Sequence, residues 1–505
     1  MSDHPDIEKL PLTVHGIPVR ETVREIFRNP DNGTPDNISK AGCLALAKRG
    51  AIVWNPWREV FPTIPIASAA WPQRFRNHAD FSSQNFEGLL RDLLIFNFGD
   101  GAIFDQSKWR AGTRFEGAKW GDYSSFFGAV WGDRCSFINT KWGALCRFDG
   151  AIWGEETKFE SAQWGRACIF NGAHWGKYAY FTNATLGQVV HFKNCTFEHC
   201  VIFDFSRFDA GTTFTGSTFE GLVRFSSNGD ANSFSSVDFG GCEFKGEVDF
   251  GERKFKGKTN FGLTHPDNKK SSVLRDEHGL IIYQENNIFP CIEETNFGNQ
   301  PAIFHKPPNF HGCELHQDTS FEGAIFPKPS GNEESIRAYR TLKLAFSKQQ
   351  AVREEQLFYM LEMKEEAIQH WKKILFSLLE RHVLVACRES VAFIFHLLYR
   401  SMADYGFSML RPLILLVLSV VLFSSAYGSS QGSMTCIAWI DACSFQPDWL
   451  KISILQSLPL SGLEKLESSQ SFSLYFSIAL VAHKAVSLLA IFLIGLALRN
   501  LFKLK

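Results

Sequence analysis

The chain has 505 residues, too many for one ordinary domain, so roughly two to four structural units are expected. Its 52 Lys and Arg nearly balance 53 Asp and Glu, a net charge of −1, which removes the electrostatic case for nucleic-acid binding and for an acidic tail. Phe is unusually abundant at 48 and Gly plentiful at 39, a bias that points to a repeated core.

The first residues, MSDHPDIEKL, are polar and acidic and lack an apolar run, so no signal peptide is expected. The stretch ALAKRGAIVWNPWREVFP (45–62) reads as a short helix and a Trp-containing turn. Residues 1–74 are expected to form a cap. The first coil of a solenoid has unpaired strand edges, and Trp54 and Trp57 would pack over them.

From Phe104 to Phe225 a large side chain returns at alternating steps of five and six: Phe104, Trp109, Phe115, Trp120, Phe126, Trp131 and onward without a break. A small side chain sits two residues before most of them, as in Ala118, Ser124, Ala129, Cys135 and Thr140. Steps of five and six scatter these positions around a helix. The Gly after nearly every Trp (Gly121, Gly132, Gly143, Gly154, Gly165, Gly176) would also cost a helix about 1 kcal/mol each. A long flat strand fails because residues five apart face opposite sides. A chain bent once per five or six residues satisfies the pattern. Within each short strand the small residue and the aromatic share the inward face, and the residue between them points out. Four bends close a square coil of about 22 residues, so that Trp stacks on Trp and Phe on Phe about 4.8 Å away. The Gly after each Trp is expected to supply a positive-φ turn at the larger corner.

The unbroken stretch makes about five and a half such coils. After SSNGDANS the beat resumes at Phe239, Phe244, Phe250, Phe255 and Phe261, lapses over 262–296, and returns at Phe304, Phe310, Leu315, Phe321 and Phe326. A solenoid is therefore expected over 75–330, with 262–296 as an extruded loop. Cys135, Cys146, Cys168, Cys195, Cys242 and Cys313 take the small inward slot, and no Cys/His spacing suits zinc, so buried reduced thiols are expected. The Trp column occupies inward positions and reads as core rather than as a ligand platform.

This repeat resembles the pentapeptide-repeat family, whose unit is a central Leu or Phe with Ala, Cys, Ser, Thr or Val two residues earlier. The resemblance implies a right-handed quadrilateral β-helix, giving a mainly β-solenoid fold class. The six-residue alternate step and the Trp column depart from the family's pattern and imply about 22 rather than about 20 residues per coil. The 45–62 stretch looks like the N-terminal cap of many such proteins.

Residues 332–374 read as helix: no Gly or Pro, strong helix formers, and apolar residues at three- and four-step spacing such as Leu342, Phe346, Leu357 and Leu361. The segments YRTLK (339–343) and EEQLFYMLEMK (354–364) resemble the juxtamembrane helices of membrane-anchored pentapeptide-repeat proteins, placed here at 331–404. Glu354 and Glu355 are read as a solvated helix face, not a catalytic pair. VLVACRESVAFIFHLLYRSMADYG (383–406) is too charged to span easily and is expected to lie amphipathically in the membrane interface.

Residues 405–505 are expected to hold two transmembrane helices. PLILLVLSVVLFSSAYGSSQG (412–432) is uncharged and long enough. In FSLYFSIALVAHKAVSLLAIFLIGLALRNLFKLK (472–505), a helix starting near Val481 lets Lys484 snorkel to an interface. A start near Phe472 places Lys484 in the bilayer as a functional candidate. Snorkelling is the preferred reading. The ending IGLALRNLFKLK again resembles membrane pentapeptide-repeat proteins. Arg400, Arg411, Arg499, Lys503 and Lys505 flank the spans, whereas the loop 433–471 has only Lys451 and Lys465, so both termini are expected in the cytoplasm and the loop outside the cell (inner) membrane. Cys436 and Cys443 lie in that loop and are a candidate disulfide in an oxidising compartment. WLKISILQSLPLSG (449–462) is either a re-entrant helix or a short helix on the membrane surface. The latter is preferred, because no TVGYG-like filter is present.

No P-loop, GxSxG, HExxH or paired-carboxylate constellation is found, so catalytic residues, metals and cofactors are not expected, and the chain does not read as an enzyme. DNA mimicry needs a strongly acidic surface, which residues 100–262 lack, so no nucleic-acid partner is expected. Two readings remain. In the first, the spans anchor the chain in the lipid bilayer and the solenoid is a rigid scaffold for a protein partner of unknown identity. In the second, the chain forms a homo-oligomeric ion pore with the solenoid as sensor, and Ser457, Pro459 and Lys484 are membrane-embedded or pore residues. The first needs fewer assumptions and is preferred.

Overall fold

The computed structural model describes residues 4–65, 75–76, 78–84, 86, 95–227, 233–263, 274–275, 281–283, 300–406, 408–430, 447–458 and 474–503. The chain divides into two units, Met1–Lys328 and Pro329–Lys505.

The first unit opens with helices α1 (Val19–Phe27), α2 (Lys40–Lys48) and α3 (Ala51–Val60). Ser39 caps α2 by accepting the Gly42 N–H at 3.1 Å. Trp54 and Trp57 of α3 are fully buried. Trp54 packs on Phe81, Phe96 and Phe98 with ring centroids 5.8–5.9 Å apart, and its indole N–H donates to Asn97 O at 2.6 Å. Asn55 donates to Ile95 O and accepts the Asn97 N–H. The polar edge of the first coil is thus covered by Asn55 and its apolar interior by Trp54.

Beyond these helices the first unit is a β-solenoid. Its strands are mostly two residues long and pair in parallel, 22 positions apart through the unbroken stretch: Trp109 with Trp131, Trp153 and Trp175 in turn, and Trp120 with Trp142 and Trp164. The inward side chains form four columns. Phe126, Phe148 and Phe170 stack at 4.8 and 4.5 Å with planes within 4° of parallel. That distance is the spacing of hydrogen-bonded strands, which places like side chains in register. Within a coil, neighbouring rings meet edge to face, as Trp142 meets Phe148 at 84° and Trp131 meets Phe137 at 87°. The indole nitrogens of Trp120, Trp131, Trp142, Trp153, Trp164 and Trp175 have no hydrogen-bond acceptor among the described residues. Each of these rings stands edge to face with the Phe six residues on.

The glycines after Trp do not turn the chain by a positive φ, and that expectation is corrected. Left-handed backbone falls two residues later, at Tyr123, Arg134, Leu145, Glu156, Ala167 and Tyr178. Room is what selects glycine here. A Cβ on Gly132 would lie 2.5 Å from Ala111 N, and one on Gly154 would lie 2.5 Å from Asp133 N. The enlarged corner presses backbone on backbone between coils. Asp side chains complete several corners by accepting an N–H from the coil above: Asp105 from Phe127 at 2.9 Å, Asp122 from Ala144 at 2.7 Å, and Asp133 from Glu155 at 2.9 Å.

The columns absorb both interruptions. Phe234 pairs with Phe208 below and Phe255 above, so the beat resumes one position earlier than Phe239. Phe304 stacks on Phe244 at 5.0 Å and Phe321 on Phe261 at 4.6 Å, so the columns continue in register from Phe261 to Phe304. Between those two residues, Leu274–Arg275 and Ile281–Tyr283 pair antiparallel. Most of 262–296 lies outside the described residues.

Two kinds of inward residue, cysteine and a single arginine, show chemistry beyond simple packing. Cys135, Cys146, Cys168, Cys195 and Cys242 are buried free thiols, and Cys313 is partly buried. They are hydrogen-bonded: Cys195, Cys242 and Cys313 donate to the carbonyls of Phe170, Phe214 and Phe250 at 2.9–3.0 Å. Burial pushes the Cys135 and Cys313 thiols up to about 12. Arg253 occupies a slot where the pattern calls for a small side chain. It is fully buried, donates to the carbonyls of Ser206 (2.8 Å), Phe203 (3.3 Å), Ser226 (3.4 Å) and Phe225, and lies 4.5 Å over the Phe234 ring. Burial lowers its guanidinium to about 9.

The second unit is helical: α4 (Glu333–Lys348), α5 (Val352–Leu379), α6 (Val383–Ala403), α7 (Leu410–Ser430), α8 (Pro447–Ser457) and α9 (Leu474–Lys503). The single helix expected over 332–374 is broken at Gln349–Ala351, with Gln350 at φ 58°. The break lets the apolar stripes face each other. Phe346 and Phe358 stack at 5.7 Å, and Tyr339 lies 6.4 Å from Phe358.

Candidate functional site

Two polar groupings among the described residues of the second unit bear on the sequence-predicted sites. The first joins α4 to α5. Glu362 is 2 % exposed and receives Arg340 Nε at 2.6 Å and Lys343 Nζ at 2.5 Å. Arg340 also reaches Glu366 at 2.9 Å. Buried Glu365 accepts the Ser330 and Gly331 N–H groups at 2.9 and 2.5 Å, which ties down the chain entering α4. The YRTLK and EEQLFYMLEMK segments are therefore the two sides of one ion-paired hairpin. Glu354 and Glu355 sit in the first turn of α5, where acids favour the helix dipole.

The second lies among α7, α8 and α9. Among the described residues, two helices are long and apolar enough to cross a membrane, over Leu410–Tyr427 and Tyr475–Arg499. Their outward faces carry exposed Leu413, Val417, Leu418, Ile478, Val481 and Phe492. Their shared interior is polar in places. Tyr427 Oη and His483 Nδ1 are 2.8 Å apart, and Phe423 stacks on the His483 ring at 4.6 Å. Phe476, Ala479 and Leu480 pack with Tyr427, and Ile452 of α8 lies against that cluster. Ser453 donates to Val420 O at 2.7 Å, about 15 Å along α7 at the usual helical rise.

Lys484 meets the end of α8. Its ammonium donates to Leu458 O at 2.6 Å and reaches Gln456 O at 3.4 Å. The last carbonyls of a helix lack intrahelical partners and carry the negative end of its dipole, so a cation there satisfies both. Gln456 Oε1, His483 Nε2 and Ser487 Oγ are buried without a hydrogen-bond partner among the described residues.

The start of the last helix revises one expectation. The final helix begins at Leu474, well before Val481, so Lys484 lies about ten residues inside it. The helix continues through His483 and Lys484, where His483 Nδ1 meets Tyr427 and Lys484 meets the end of α8. And α8 packs against both α7 and α9, through Ile452, Ser453 and the Lys484 contact. Ser457 lies between the two carbonyls that Lys484 contacts, while its own hydroxyl donates to Ile454 O at 2.6 Å within α8. Pro459, Cys436 and Cys443 lie outside the described residues. Sequence reasoning did not single out Tyr427, Ser453, Gln456 or Ser487. The available signal was polar side chains inside or beside apolar runs.

No family model, curated protein or solved structure matches this chain.

Proposed function

We propose that the chain is a membrane-anchored pentapeptide-repeat protein whose solenoid is a cytoplasmic scaffold for a protein partner. α7 and α9 cross the cell membrane with both termini in the cytoplasm, following the Arg and Lys at the α7 start and α9 end. The observation that carries this reading is the commitment of Lys484 to the carbonyls ending α8. The one ammonium within the candidate spans is committed to joining α9 to the end of α8, which suits an anchor. The solenoid offers a surface fixed by stacked columns, which suits docking by a rigid partner.

A second reading, a homo-oligomeric pore, draws on the buried and unpartnered Gln456 Oε1, His483 Nε2 and Ser487 Oγ. Light scattering on the full-length protein in detergent separates the two. The scaffold reading expects the mass of one chain, whereas a stable tetramer or pentamer favours the pore.

A further inference from the structure

The α5–α6 hairpin inverts the pattern of a soluble helix pair. On α6, Leu384, Val391, Ile394, Phe395 and Leu398 recur at helical spacing and all are exposed, Leu384 at 87 % and Phe395 at 68 %. On α5, Trp371, Leu375, Leu378 and Leu379 do the same, with Leu379 83 % exposed. The side of α6 that is buried carries an acid instead. Glu389 accepts from the His370 ring at 2.6 Å and from Arg388 at 2.9 Å, and His370 lies on α5.

Two observations say what covers this face. The first is continuity. α6 ends just before α7, packs against both α7 and α9, and its apolar exposure runs on into Leu410 and Leu413 of the first candidate span. The second is charge. Between Trp371 and Arg400 the cations Lys372, Lys373, Arg381, Arg388 and Arg400 face only two acids, Glu380 and the buried Glu389. An apolar stripe bordered by cations is the composition of a helix lying at the headgroup boundary, with its apolar side in the acyl region and its cations among anionic lipids. The Arg388–Glu389 pair disfavours a fully spanning α6.

We propose that the α5–α6 hairpin is a lipid-binding element that lies in the interface beside the start of α7 and selects anionic headgroups. It rests on the reading that α7 and α9 span a membrane. The test is photo-crosslinking of full-length protein in nanodiscs containing a diazirine-tailed phosphatidylcholine, with and without phosphatidylglycerol, and residue mapping by mass spectrometry. Adducts are expected around Leu379 and Leu384, rising roughly fivefold or more with phosphatidylglycerol. The rise should vanish in the K372Q/K373Q/R381Q variant while adducts on α7 stay constant, which also shows that the variant is folded. Adducts on α7 and α9 with none on the hairpin overturn the proposal and leave the spanning reading intact. Hairpin adducts indifferent to lipid charge overturn the headgroup selection. Crosslinks from the hairpin to a second copy of the chain in place of lipid also overturn it. Absence of adducts on α7 removes the spanning reading and this proposal together.

Discussion

The solenoid and the helical unit solve the same problem, burial of polar backbone and side chains, by opposite means. In the solenoid each coil is the template for the next, so one solution repeats: a two-residue strand, a stacked ring, a glycine where backbones touch. In the helical unit the polar contacts are individual ones, Glu362 with Arg340 and Lys343, His483 Nδ1 with Tyr427, Lys484 with the end of α8. Damage should therefore spread from coil to coil in the first and stay local in the second.

The largest effect is expected from Phe148→Ala. It removes a ring stacked on both sides and should cost about 4 kcal/mol of solenoid stability in chemical denaturation. Arg253→Ala should come close, about 3–4 kcal/mol, because four buried carbonyls, those of Phe203, Ser206, Phe225 and Ser226, lose the guanidinium as donor and the ring of Phe234 loses its cation. A cost under about 1 kcal/mol would mean that water replaces the guanidinium readily.

Glycines sharpen the contrast within the solenoid. Gly154→Ala meets backbone at 2.5 Å and should cost about 2–3 kcal/mol. Gly150→Ala meets nothing within 4 Å, has a positive φ of 63°, and should cost only about 1 kcal/mol. Equal costs at the two sites would contradict the close-approach account. In the helical unit, Glu362→Gln should lower the melting transition by the equivalent of about 1–2 kcal/mol while leaving the solenoid transition where it was.

Acid should separate the two regions as well. His191 is buried in the solenoid, and burial pushes its imidazole down to about 3 from an ordinary 6.5. The unfolded chain therefore takes up a proton that the folded chain refuses. Solenoid stability is full above pH 6.5 and falls as the pH drops from there toward 3, by up to ~1.4 kcal/mol per unit. Buried Asp149 and Asp238, whose carboxyls are raised by burial, act in the opposite sense, but only from just above the ordinary carboxylate range downward. Denaturation of wild type and His191→Asn between pH 7 and 5 should converge as the pH falls. Parallel curves would show that His191 is not the group responsible.

The sequence disclosed each region to the degree that it repeats. Phe104 to Phe225 could be placed in columns from spacing alone, because an eleven-residue beat admits one compact solution. The role of glycine was misread, since period and composition do not distinguish a residue that turns from one that makes room. Arg253 was invisible because it breaks the pattern at a single slot. In the helical unit the apolar runs marked α7 and α9, but the turn at Gln349–Ala351 and the start of α9 depended on pairings between distant residues, such as Phe346 with Phe358 and His483 with Tyr427. Those pairings leave no periodic trace.

The claim that organises these contrasts is that polar groups in α7–α9 hold an anchor together and do not conduct. Ion flux from liposomes containing full-length protein, wild type and Lys484→Met, tests it most directly. Flux no greater than from empty vesicles in both is the expected result. Flux from wild type that changes with Lys484→Met would contradict the anchor and place Lys484 on a conduction path.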